Sequence, residues 1–233
     1  MTIIGLIGGI APESTIAYYR QLIAGHRAWH PESYPQILIN SIDMARMLGL
    51  LAQADKREAI DFLSDEVKRV AAAGATFAAF ASNTPHLVFP AVRARASIPL
   101  ISIVEATADE IKSRRLKRVG LLGTRFTMDG GFYQTLLAER KVECIVPDAA
   151  DREFTHEVYF RELVNGVFRD DSRAALLEVI RRLQQAHGVE AVILGGTELP
   201  LILTEESGAP VPLLDTTRIH VAALLRRGGI LPT

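Results

Sequence analysis

The chain is short of the features that mark specialised proteins. It contains one cysteine, Cys144, among 233 residues. A single thiol excludes an intrachain disulfide framework and fits a reducing compartment. Neither sign of charge dominates: 26 Lys and Arg stand against 27 Asp and Glu, for a net charge of −1. Nothing in that balance favours a nucleic acid or an anionic membrane as partner. The most apolar stretch, Ala71 to Ala81, is too short and too rich in small residues to span a bilayer. Met1-Thr2-Ile3-Ile4 lacks a basic leader and a cleavage pattern, so no signal peptide is expected and the expected address is the cytoplasm. No Gly-x-Gly-x-x-Gly follows the first strand and no phosphate-binding Gly-x-x-x-x-Gly-Lys-Ser/Thr occurs, which gives nucleotide binding little support. His26 and His30 have the spacing of a zinc pair, but Arg27 stands where a metalloprotease needs glutamate. His86, His156, His187 and His220 show no ligand spacing. No metal is therefore expected.

What the chain has is apolar mass in short runs. Apolar residues make up 48% of it, enough for a core without staples. Strand-length runs cover Ile3–Gly9, Gln36–Ile42, Thr76–Ser82, Leu100–Val104, Arg118–Gly123, Cys144–Pro147, Ala191–Gly196 and Pro212–Asp215. They are nearly continuous rather than alternating, as in parallel strands covered on both faces. Helical stripes lie between them. Arg57–Ala73 carries Ile60, Leu63, Val67 and Val70 on one face, and Arg173–His187 carries Leu176, Val179, Ile180 and Leu183 before a stop at Gly188. Alternating strand and helix define an α/β protein.

A duplication underlies this pattern. Gly9 and Gly123 each close an apolar strand and stand 114 residues apart (123 − 9); so do Ser82 and Gly196 (196 − 82). Each strand end runs into a helix-start signal: Pro12 after Gly9, Ser82-Asn83-Thr84-Pro85, Thr124 to Thr127 before a helix over Met128–Ala138, and Thr197-Glu198 before a helix over Leu199–Leu203. In parallel sheets ligands bind beyond the carboxyl ends of the strands, and helix N-termini favour anions. Four such junctions would cradle a small dianion, a carboxylate or a phosphate, whereas any one of them alone would serve as an ordinary cap.

These segments resemble the aspartate/glutamate racemase family. Gly5 to Thr15 looks like the family's opening segment. Ser82-Asn83-Thr84-Pro85-His86 looks like its first catalytic motif, usually Cys-Asn-Thr-x-His. Leu121 to Met128 is similar to its central strand and loop, and Leu194-Gly195-Gly196-Thr197-Glu198 to its second motif, usually Gly-Cys-Thr-Glu. Asp215 to His220 matches the closing segment. The resemblance implies two pseudo-symmetric, doubly wound α/β domains with mainly parallel sheets, residues 1–98 with 210–233 and residues 99–209, and a site in the cleft between them. It also implies a homodimer acting on a small amino or carboxylic acid without pyridoxal phosphate, through one thiol on each face of the α-carbon.

Both thiols are missing. Ser82 takes the first position and Gly196 the second, while Cys144 lies in a strand away from both. A two-thiol racemisation is therefore impossible. Some relatives carry threonine at the first position, and arylmalonate decarboxylase resembles the family with a single cysteine. Aspartate racemases often carry lysine just before the glycine of the segment matching Glu162 to Gly166; Asn165 stands there, which weakens the case for a second substrate carboxylate. Gly9, Asn83, Thr84, Thr127, Thr197 and Glu198 fit the family's substrate-binding pattern. Glu198 is either a site carboxylate with a raised pKa or a first-turn helix charge. His86 is either a proton relay for Ser82 or a satisfied helix histidine. Gly196 is expected to leave room for a substituent or a water. Three functions stay open: isomerisation at the α-carbon, a lyase or decarboxylase reaction, and binding of a carboxylate without turnover.

Overall fold

A computed structural model describes residues 2–231. Met1, part of the N-terminal reading, and positions 232 and 233 lie outside them. The described residues form two compact units, 2–103 with 217–231 and 104–216.

The first unit runs β1 (Ile3–Gly8), α1 (Pro12–Trp29), β2 (Gln36–Ser41), α2 (Met44–Ala52), α3 (Arg57–Ala72), β3 (Phe77–Phe80), a short 3₁₀ turn at Thr84–Leu87, and α4 (Phe89–Arg95). The three strands are parallel in the order β2-β1-β3. On one face α3 buries Leu63, Val67 and Val70, with Ile60 half-buried at the edge of the stripe. A Cβ at Gly5 would lie 2.9 Å from Ala75 Cβ and 3.2 Å from Val70 Cγ2, so glycine lets this layer approach the sheet.

The second unit runs α5 (Ile103–Ser113), β4 (Arg118–Leu122), α6 (Arg125–Met128), α7 (Phe132–Glu139), β5 (Glu143–Ile145), α8 (Ala149–Arg161), α9 (Asp170–His187), β6 (Ala191–Leu194), α10 (Leu199–Ile202) and β7 (Leu213–Asp215). Its strands are parallel in the order β5-β4-β6-β7. Leu176, Val179, Ile180 and Leu183 of α9 are all buried, and Gly188 ends the helix in the left-handed region at φ 62°. The chain then returns to the first unit through α11 (Thr216–Arg227), whose Val221, Leu224 and Leu225 pack with Tyr18 and Leu22 of α1 against β1 and β3.

Several expected boundaries move. Leu100–Val104 does not form a strand: Leu100 makes one parallel bridge to Ala78, and α5 starts at Ile103. An apolar run of five residues suits either state, and the Ile101 carbonyl is taken by His220 rather than by a sheet neighbour. The helix expected over Met128–Ala138 is broken, because Asp129-Gly130-Gly131 intervenes and Gly131 adopts φ 75°. Leu213–Asp215 pairs with β6, so the last strand belongs to the second unit and the chain leaves it near residue 216 rather than 209. The single offset of 114 also needs correction. Phe80 and Leu194 are 114 apart (194 − 80), yet their partners Ile7 and Leu122 are 115 apart (122 − 7). The register therefore matches Gly8, not Gly9, with Gly123.

Two buried histidines lock the first unit. The Nε2 of His220 lies 3.1 Å from the Ile101 carbonyl and must donate to it, so its Nδ1 accepts from the Tyr18 hydroxyl at 2.8 Å. Burial pushes the His220 pKa down to about 4. The Nδ1 of His86 donates to the Asn83 carbonyl at 3.2 Å, and burial pushes its pKa down to about 3. An unfolded histidine binds a proton near pH 6.5, whereas these two refuse it until pH 4 or below. Their stability contribution is complete above pH 6.5 and is lost as pH falls. Between pH 6.5 and 5 the loss is expected to reach about 2 kcal/mol per histidine. Urea titrations at the two pH values check this, and unchanged stability would contradict it.

Candidate active site at the strand ends

In the first unit the carboxyl ends of β1 and β3 are tied together by α1. The Gly9 N–H donates to Thr15 Oγ1 at 2.8 Å, and Ser14 Oγ lies 2.9 Å from the Ala11 carbonyl and 3.1 Å from that of Ala81. A Cβ at Gly8 would sit 2.5 Å from Thr15 Oγ1, and Gly9, at φ +82°, would clash with the Ile42 carbonyl at 2.4 Å. Glycine is needed at both positions for the backbone to pass. Ser82, Asn83 and Thr84 follow β3 directly and are all buried. His86 braces this loop through its bond to Asn83 and stacks on Phe89 at 4.4 Å with the rings 13° from parallel. With Nδ1 committed to a carbonyl and the ring held neutral, His86 is placed as a support for the Ser82–Thr84 turn.

The second unit repeats the scheme. Gly195 N–H donates to the Leu122 carbonyl at 2.7 Å, and Thr216 Oγ1 donates to the Leu194 carbonyl at 2.7 Å. A Cβ at Gly123 would lie 3.1 Å from Thr127 Cβ, the counterpart of the contact between Gly8 and Thr15. Thr127 is fully buried, with its hydroxyl 3.4 Å from that of Thr124. Thr197 and Glu198 are buried too. Glu198 Oε2 accepts a hydrogen bond from Thr197 Oγ1 at 3.0 Å and another from the hydroxyl of Tyr159 on α8. Glu198 is therefore not a solvated helix charge but an inward carboxylate held by two hydroxyls. Burial raises the Tyr159 pKa well above that of an ordinary phenol, and the neighbouring Glu198 charge adds to the effect.

Two expectations change here. None of the four junctions uses a side chain as a helix cap. Three of the four helical starts are also single turns: Thr84–Leu87, α6 and α10 have four residues each. Their dipoles are small, and only α1 at Gly9 presents a long helix. Any carboxylate at the other three would depend on loop N–H groups and hydroxyls. The second change concerns Gly196. The space beside it is filled, since a Cβ there would fall 2.4 Å from Cε2 of Tyr159.

The remaining predicted residues lie elsewhere. Cys144 sits in β5, partly buried, its thiol pushed up to about 12 by desolvation. Asn165 donates to the carbonyls of Phe160 and Arg161 at 3.1 and 3.2 Å and closes the end of α8. His26 bonds to Ser33, its ring 5.1 Å from that of His30. No cluster of three or more potential metal ligands occurs among the described residues, and none of their helices is long and apolar enough to cross a membrane. Tyr159 was missed in the sequence because it lies in no chemical motif. The one hint was the glycine at 196, which leaves a buried volume for some other side chain to fill.

A profile of the family described as Asp/Glu/Hydantoin racemase matches residues 7–224. The chain belongs to this family. A protein from Yersinia pestis, solved as a candidate Asp/Glu racemase, superposes with a TM-score of 0.87 at 37% identity, over 98% of this chain and 99% of that one. An aspartate racemase homologue from Pyrococcus horikoshii OT3 superposes at 0.84 with 34% identity, over 98% and 100%. The broad specificity amino-acid racemase RacX of Bacillus subtilis is 23% identical over 92% of each chain. The two solved relatives share the α/β fold, and the family's matched region contains both strand-end loops described above.

The tie between Gly9 and Thr15 is directly testable. Thr15→Val keeps the shape but leaves a buried N–H without an acceptor, at an expected cost of about 1–3 kcal/mol. Thr15→Ser retains the oxygen and is expected to lose less. Equal losses in denaturant titrations would show that packing, not the hydrogen bond, holds this strand end.

Proposed function

We propose that this racemase-family protein acts at the α-carbon of a small amino or carboxylic acid, without an organic cofactor, with Ser82 as the polar group on the reacting face. Asn83, Thr84 and the Gly9 loop would bind on the Ser82 side. Thr127, Thr197 and the Gly196 loop would serve as the corresponding binding groups of the second unit. The observation that carries this reading is the buried Ser82-Asn83-Thr84 turn, which stands at the carboxyl end of β3 and uses no side chain as a cap. Polar groups buried in that way at strand ends are suited to a ligand rather than to their own helix. The family resemblance extends the proposal to a homodimer in the cytoplasm.

A serine hydroxyl is a weak base unless a neighbour accepts its proton, and a histidine held near a pKa of about 3 is a poor acceptor. Turnover should therefore be slow. A second reading, binding without turnover, is favoured by the same weakness and by the filled space at Gly196.

Incubation with L- and D-aspartate, L- and D-glutamate and other small amino and carboxylic acids in deuterated water separates the two. The α-proton signal of at least one acid should fade over hours. Ser82→Ala should slow this by about 100-fold or more, and Ser82→Cys should accelerate it. Ligand-induced thermal stabilisation without exchange in any acid would instead establish the binding reading.

A further inference from the structure

Gly196 is glycine for reasons of volume. It has no left-handed backbone angle to explain it, unlike Gly9, Gly131 or Gly188. A Cβ built on it would stand 2.4 Å from Cε2 of Tyr159 and 3.2 Å from both Cδ2 and Cζ. These three atoms form one edge of the phenol ring, so the ring itself covers the Cα of residue 196. A contact of 2.4 Å lies far inside the 3.5–4.0 Å optimum for two carbons, and one of them would have to move.

The ring is held at both ends. Tyr159 sits on α8 inside a cluster with Leu122, Val158, Leu163, Leu194 and Leu199. Its hydroxyl donates to Glu198 Oε2, which also accepts from Thr197. Glu198 stands two residues from Gly196 on the same loop, so the anchor and the covered Cα move together. Swinging the ring aside would break a buried bond to a carboxylate and leave the phenol oxygen without its acceptor. The neighbouring glycines answer to other atoms: a Cβ at Gly195 would meet Leu121, the Leu122 carbonyl and Thr127, and one at Gly123 would meet the Gly195 carbonyl.

We infer that Tyr159 is a specificity-determining residue of this protein: its ring, anchored by Glu198, takes the volume of the side chain at position 196 and closes that position to any acid or base. The inference rests on the proposed correspondence of Gly196 with the second thiol of the family. It deepens that reading by naming what replaced the thiol. On that reading no group at position 196 takes part in chemistry at the α-carbon.

The test requires no turnover. Gly196→Ala and Gly196→Cys are made in three backgrounds, with Tyr159 intact, with Tyr159→Phe and with Tyr159→Ala, all carrying Cys144→Ala so that one thiol at most is present. With Tyr159 intact, Gly196→Ala should lower the melting temperature by about 4–10 °C. The drop should shrink in Tyr159→Phe, where the ring is released from Glu198, and nearly vanish in Tyr159→Ala. A thiol introduced at 196 should react with iodoacetamide at least tenfold faster in the Tyr159→Ala background than beside the intact ring. Equal temperature drops in all three backgrounds would overturn the inference; if the cysteine variant does not fold with Tyr159 intact, Gly196→Ala decides alone. A protein inactive on every acid would sink the proposed reaction, while the closure of position 196 by Tyr159 would still stand or fall on the temperature drops.

Discussion

The hydrogen bond from the Tyr159 hydroxyl to Glu198 links the core of the second unit to its candidate site. It joins α8, an element built for packing, to the loop after β6 that carries Thr197 and Glu198. Through it a buried carboxylate gains a donor and a glycine loses the space beside it. A thiol at position 196 and a ring at position 159 compete for one volume, and the carboxylate decides for the ring. Under the proposed correspondence of Gly196 with the family's second thiol, Thr197 and Glu198 support a wall in place of a base.

Both units solve the same problem at their strand ends. A parallel strand that stops must satisfy its last carbonyl and amide groups without a sheet neighbour. Ser14 and Thr15 do this for β1 and β3, and Thr216 does it for β6. In each unit a threonine packs over the glycine that ends the first central strand, Thr15 over Gly8 and Thr127 over Gly123. The side chains that follow, Ser82 to Thr84 and Thr197 to Glu198, are thereby held inside rather than released to solvent. The cost is conformational: the glycine positions at these strand ends accept almost nothing larger.

The α/β class was legible in the sequence because continuous apolar runs such as Ala191 to Leu194 alternate with helical stripes such as Leu176 to Leu183. The family was legible as well, through the segments around Ser82 and Gly196. Where an apolar run was short, as at Leu100–Val104, strand and helix could not be told apart, and the tertiary bond from His220 settled it. The one-residue difference between the two halves was invisible because register is a property of pairs. Tyr159 was invisible for the same kind of reason. An aromatic residue at an inward helix position reads as core, and only its neighbour across 39 residues gives it a second task.

The stereochemistry of exchange tests the central claim most directly. An acid deuterated at its α-carbon by this protein is recovered and its enantiomers are separated. A site confined to the Ser82 face returns the label to the side from which the proton left, so the configuration is retained. Inverted product appearing as fast as deuterium enters would mean that a second group delivers protons from the opposite face, and would contradict the proposed one-sided chemistry at Ser82.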